Sequence, residues 1–143
     1  DGYDSDEDAR QLVLTAAEIS RSRNMDYVGT DLLLLAAPKN VDLRAHHVLK
    51  RIGVSISKFE ADITAKMPPG CAYPPEGDWE MNWTPRSIMA LEAAEREACG
   101  QPITSSDILV AMASIDDAVA KDWLEMKVIT VDDIREAREA IEG

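Results

Sequence analysis

Apolar residues recur along this chain at helical spacing, and the pattern runs twice. The run that stands out first is Val28-Gly29-Thr30-Asp31-Leu32-Leu33-Leu34-Leu35-Ala36-Ala37, a small polar turn leading into a short, almost wholly apolar stretch. That stretch is too short to span a bilayer. Gly29 and Thr30 before it and Pro38 after it suit the two ends of a buried helix. At an offset of 75 residues the arrangement returns as Ile103-Thr104-Ser105-Ser106-Asp107-Ile108-Leu109-Val110-Ala111-Met112. Held at that offset, Val28 falls on Ile103, Leu33 on Ile108, Leu34 on Leu109, Ala36 on Ala111, Ala45 on Ala120, Leu49 on Leu124 and Phe59 on Ile134. So many small or apolar matches in register mark a duplicated unit.

Taken in order, the chain opens with five acids and no base between Asp1 and Asp8, which reads as a solvated tail whose later part is also placed to stabilise the positive end of the helix that follows. From Ala9, the spacing of Leu12, Val13, Ala16, Ala17 and Ile19 predicts a first helix that ends in the polar stretch Ser20 to Asn24. The apolar run is the second helix. Asp42 is placed to cap a third, with Ala45, Val48, Leu49 and Ile52 on one face and Gly53 as its left-handed stop. Ser57-Lys58-Phe59-Glu60 reads as a capping box opening a fourth helix over Phe59 and Ile63. Met67 to Trp83 holds six prolines and glycines in seventeen residues, which excludes a continuous helix or strand and marks a linker. Its Trp79 and Trp83 either clamp the linker onto the body or form an exposed aromatic patch for a partner.

Thr84 at N-cap and Pro85 at N1 restart the order. Ile88, Leu91, Ala94 and Ala98 trace the buried face of the fifth helix. Ser105 or Ser106 caps the sixth, and Asp116 or Asp117 the seventh, with Ala120, Trp123 and Leu124 inward. Thr130-Val131-Asp132-Asp133 opens the eighth over Val131, Ile134, Ala137 and Ile141. No window alternates like a half-buried strand. The prediction is an all-α protein of eight short helices: an acidic tail (1–8), a four-helix repeat (9–66), a linker (67–83) and a second four-helix repeat (84–143).

Composition narrows the function. The 143 residues are 45% hydrophobic and 29% charged, as expected of one compact domain or of two small halves sharing a core, and the doubled unit points to the second. A net charge of −12 repels nucleic acid and anionic membrane surfaces. Cys71 and Cys99 have no metal-binding spacing, and the adjacent His46 and His47 diverge on a helix, so no metal is expected. No P-loop, Gly-rich phosphate cradle or nucleophile beside a base is present; neither enzyme activity nor a cofactor is expected. Glu92, Glu95 and Glu97 suit a solvated helix face. The sequence begins at Asp1 without a methionine, as a cut or processed form would.

Two four-helix repeats, Gly29-Thr30-Asp31-Leu32-Leu33-Leu34 opening the second helix, Ile52-Gly53-Val54 between the third and fourth, Thr84-Pro85-Arg86 opening the second repeat and Leu91-Glu92 with Ala94 after it resemble the Clp N-terminal domain. That double repeat stands at the front of AAA+ unfoldases such as ClpC, ClpA and ClpB, and alone in small plastid ClpT proteins. The second repeat departs from the family in having Thr104-Ser105-Ser106-Asp107 at the polar turn and Val128-Ile129 without the glycine. The resemblance implies a non-catalytic recognition module that binds unfolded substrates or adaptors for an ATPase ring. The alternative it implies is a free-standing accessory protein that docks on a Clp ATPase or peptidase core. A helical protein with no Clp partner is the reading from outside the family. The chain is expected to be a monomer in isolation, in the cytoplasm, or in the plastid stroma if a transit peptide was removed. In the ClpC branch each repeat can hold a phosphorylated arginine between the acid of the polar turn and a threonine before the first helix. Carried over, the pairs are Asp31 with Asp6 and Ser106 with Thr84. Asp6 repels phosphate and Ser106 brings no charge, so no binding of free phosphoarginine is expected. Trp79 and Trp83 complete the candidate binding residues.

Overall fold

The computed structural model of the chain describes residues 4–67, 82–116 and 118–142; the side chains of Ser5 and Asp6, and the whole of Cys71, Trp79 and Asp117, lie outside that description. The described residues form eight helices, α1 (Ser5–Ser22), α2 (Thr30–Lys39), α3 (Arg44–Ile52), α4 (Ile56–Lys66), α5 (Pro85–Ala98), α6 (Ser105–Ser114), α7 (Val119–Met126) and α8 (Val131–Glu142). Every residue from Thr30 to Pro38 and from Ser105 to Ala113 is buried. α2 and α6 are therefore the two central rods, apolar on every side beyond their polar first turns, as helices enclosed by others are. α1 packs on α2 and α5 on α6; α8 packs on both α6 and α3, and so ties the second half to the first. The matches read from the sequence sit in one core: Leu33, Leu34, Leu49 and Phe59 are buried, as are Ile108, Leu109, Leu124 and Ile134. Ile88 and Ile141, expected inward, lie in the end turns of α5 and α8 and are exposed.

Two strands of two residues each, β1 (Tyr27–Val28) and β2 (Asn82–Trp83), pair in parallel with Val28 opposite Trp83. They are too short for any alternation to register in the sequence. The pairing fastens the end of the predicted linker beside the start of α2. The Thr84 N–H donates to the Val28 carbonyl at 3.1 Å, and the buried Ser87 hydroxyl donates to the same oxygen at 2.9 Å.

Several helix starts depart from the capping read in the sequence, and at α3 and α7 one cap comes from the other half. α3 begins after Leu43, and the exposed Asp42 does not cap it. The first N–H groups of α3 instead reach Asp8 (Arg44 N to Oδ1, 2.8 Å) and Ser105 (Ala45 N to Oγ, 2.9 Å). α7 begins after Ala118 without a side-chain cap of its own; the Ala120 N–H donates to Thr30 Oγ1 at 3.3 Å, while Asp116 pairs with Lys121. Thr30 with Ala120 and Ser105 with Ala45 are equivalent pairs at the 75-residue offset, so the halves exchange caps. α4 starts at Ile56 with Ser55 at its N-cap, so the box at Ser57 does not form. α6 is capped by Thr104 in a reciprocal pair with Asp107, rather than by Ser105 or Ser106. Thr84 and Gly53 do act as read: Thr84 Oγ1 accepts from the Ser87 N–H, and Gly53 closes α3 at φ 102°.

The acidic stretch is not simply a tail. α1 starts inside it, capped by Asp4, whose carboxylate accepts from the Glu7 N–H. Asp8 is fully buried between the ends of two helices, with Oδ1 on Arg44 N and Oδ2 on Ser105 N at 2.6 Å. A carboxylate can lie there because the N-termini of α3 and α6 both present free amides and positive dipole ends.

Left-handed residues also repeat at the offset. Asn24 (φ 56°) and Cys99 (φ 51°) end the first helix of each half. Gly53 is matched by Val128 at φ 60°. A β-branched side chain is strained there, by about 1–2 kcal/mol, where glycine is not.

Candidate functional site

The polar turn before α2 is built for close approach. A side chain added at Gly29 would lie 2.7 Å from Asp31 Oδ1 and 3.4 Å from Thr84 Cγ2. Asp31 and Thr84 therefore flank the bare α-carbon of Gly29, brought together from the two halves by the β1–β2 pairing. They open on a cleft of about 550 Å³ lined also by Tyr27, Lys66, Arg86, Val119 and Trp123. Asp31 is buried. Loss of water raises its carboxyl above the usual range, against the pull of the Leu32 N–H, which donates to Oδ1 at 2.8 Å, its own amide and the charge of Arg23. The cleft thus offers a desolvated carboxylate, a hydroxyl at a helix start, two cations and an indole. Such a set suits a ligand carrying both a cationic and an anionic or polar end.

The equivalent position in the second half is filled from within. Ser106 is fully buried; its hydroxyl shares a hydrogen bond with Thr104 Oγ1 at 2.7 Å and donates to Glu142 Oε1 at 3.0 Å. Glu142 is the last residue of α8, and its carboxylate also lies 3.7 Å from Arg44. Where the first half presents an acid to a cleft, the second holds an acid of its own against a serine.

The family model for the Clp repeat (R) N-terminal domain matches residues 5–127. This chain belongs to the Clp N-terminal domain family. Among solved structures, the Hsp104 N-terminal domain from Candida albicans is similar with a TM-score of 0.75 at 19% identity, covering 99% of this chain and 93% of that one. The N-terminal domain of the caseinolytic protease-associated chaperone ClpD from Arabidopsis thaliana gives 0.68 at 18% identity, with 97% of each chain covered. A chain from a malarial protein secretion system gives 0.75 at 14% identity, over 90% of this chain and 88% of that one. At these identities the likeness is one of fold. No curated protein matches the sequence.

Within this Clp N-terminal domain, the candidate residues read from the sequence fall into different places. Asp31 and Thr84 meet across the halves, not within the pairs carried over by resemblance. Ser106 keeps other company, and Asp6 lies in the first turn of α1 with its side chain outside the described residues. Trp83 is half-buried against the core in β2; Trp79 lies outside the described residues. Sequence reading missed Lys66, Arg86 and Trp123 as cleft residues. Arg86 follows Thr84-Pro85 directly and was within reach of the motif. Lys66 ends α4 and Trp123 lies mid-way along α7, so only the tertiary fold brings them there.

Proposed function

We propose that the chain is a recognition domain of a Clp-type unfoldase system, and that the Asp31–Thr84 cleft holds an arginine side chain of a bound polypeptide. The carboxylate of Asp31 takes the guanidinium in a charge-assisted fork, strengthened by its burial. The Trp123 indole offers a face for the same group. Thr84, Lys66 and Arg86 suit a phosphate if the arginine is phosphorylated. The expectation of no phosphoarginine binding rested on the pairs Asp31–Asp6 and Ser106–Thr84; Thr84 beside Asp31 supports a third pairing, which keeps both the acid and the hydroxyl. The observation that carries the reading is the contrast between two equivalent positions. One is an open cleft with a desolvated acid, and the other is occupied by Glu142 and Ser106.

The test is fluorescence anisotropy with three labelled peptides alike except at one position: arginine, phosphoarginine or citrulline. Either arginine form should bind at least tenfold more tightly than citrulline, and Asp31→Asn should abolish the difference. Thr84→Ala should weaken the phosphorylated form alone. Ser106→Ala should leave all three unchanged. Equal binding of citrulline and both arginine forms would refute the assignment.

A further inference from the structure

The corner between α7 and α8 joins backbone strain to an uncovered apolar tip. Val128 holds a left-handed conformation (φ 60°) with its side chain 82% exposed. Nothing in the fold requires a side chain there, since Gly53 makes the equivalent turn in the first half. Two residues earlier, Met126 ends α7 and is 62% exposed. Val128 also borders a cleft of about 590 Å³ between α7 and α8, lined by Leu124, Ile129 and Val131 together with Lys121, Glu125 and Arg135. A strained β-branched residue that gains no burial in its own chain is the kind of outlier that marks contact with something else.

Charge identifies the occupant. Each base around this corner is already matched within the chain: Lys121 to Asp116, Lys127 to Asp62 and Arg135 to Glu97. Glu125, Asp122 and Asp132 stand beside them without an ion pair among the described residues. The local excess is acidic, as is the whole chain at −12. A second copy would bring like charge to like charge.

We propose that Val128 and Met126, over the α7–α8 cleft, form a docking surface for a basic amphipathic helix of a partner protein. The apolar face of that helix covers the two side chains and enters the cleft, and its lysines or arginines meet Glu125, Asp122 and Asp132. The surface is separate from the Asp31 cleft, and neither assignment depends on the other.

The probe is a labelled 14-residue peptide of leucine and lysine spaced for an amphipathic helix, set against a peptide of the same composition in scrambled order. Anisotropy should show the patterned peptide binding at least tenfold more tightly than the scrambled one. Val128→Gly should raise the melting temperature by relieving strain and yet cut affinity for the patterned peptide about tenfold. Glu125→Lys with Asp132→Lys should cut it at least as much, while Asp31→Asn leaves it unchanged. Equal binding of the two peptides, or unchanged affinity in a folded Val128→Gly variant, overturns the proposal. So does a dimer in light scattering that Val128→Gly dissolves, since the occupant would then be a second copy.

Discussion

Asp8 shows how much a single residue can do in this fold. Its carboxylate is the acceptor for the first amides of two helices from different halves, and it is wholly buried. Replacing it with alanine orphans two helix-start donors, one buried and one partly buried, so Asp8→Ala should cost about 2–3 kcal/mol in urea unfolding. A loss on the scale of a surface change, below about 0.5 kcal/mol, would contradict the bridging role. The sequence carried no sign of this: Asp8 reads as one acid among five, and its partners lie 36 and 97 residues away. Thr84, by contrast, was legible, because Thr-Pro at a helix start is a local signal with a local cause. Asp31 lies between these cases. Its place at the polar turn was visible, but its meeting with Thr84 depends on a strand pair of two residues. Its burial has a consequence for pH. A carboxyl whose folded pKa is raised above its unfolded value weighs against the ionised folded state, so its contribution to stability falls as pH rises through that window. Asp31→Asn should therefore be more stable than the parent at pH 7, with the gain shrinking towards pH 3, even as the proposed arginine binding is lost.

Among the elements, α8 does what the sequence could not assign to it. Its apolar stripe was readable, but its reach was not. Arg138 donates to Asp107 at 3.0 Å and to Glu97 at 2.8 Å, and Arg135 donates to Glu97 at 2.9 Å, so α8 is clamped across α5 and α6. The Arg135 hydrogen bond, joined by Arg138, holds the Glu97 carboxyl below its usual range despite partial burial. With the folded pKa depressed, the stabilisation is present above the unfolded value near 4.3 and is lost as pH falls through the folded one. Glu97→Gln should lower stability by about 1–2 kcal/mol at pH 7 and by much less at pH 3, measured by urea titration at each pH. The glutamates of α5 read from the sequence as a solvated face thus include one that is not. The central rods were the most legible elements, since α2 and α6 are continuous apolar runs. Leu34→Ala and Leu109→Ala, both at fully buried positions, should each cost about 2–5 kcal/mol. A large difference between the two would show that the halves are packed unequally.

At the scale of the whole molecule, duplication is what made the architecture readable from one sequence. Single motifs were weak, but the 75-residue offset placed equivalent residues in equivalent surroundings, down to the left-handed ends at Asn24 and Cys99. What the offset could not reveal is where the halves stop being equivalent. The Asp31 cleft is open while Glu142 fills its counterpart, and glycine has given way to valine at one turn. Both proposed binding sites fall on those breaks in symmetry.

The exchanged caps carry a consequence for synthesis and breathing. Ala45 waits for Ser105, 60 residues downstream, and Thr30 serves Ala120, 90 residues away. As the chain emerges from the N-terminal end, Asp8 is ready to take the Arg44 amide, but the Ala45 amide of α3 has no such partner until α6 is made, so the first half cannot reach its final state alone. Once folded, neither end can fray without parting both halves. First-turn amides usually exchange with solvent early. In native-state hydrogen exchange, the amides of Ala45 and Ala120 should instead rank with those of Leu34 and Leu109, opening only when the whole domain does.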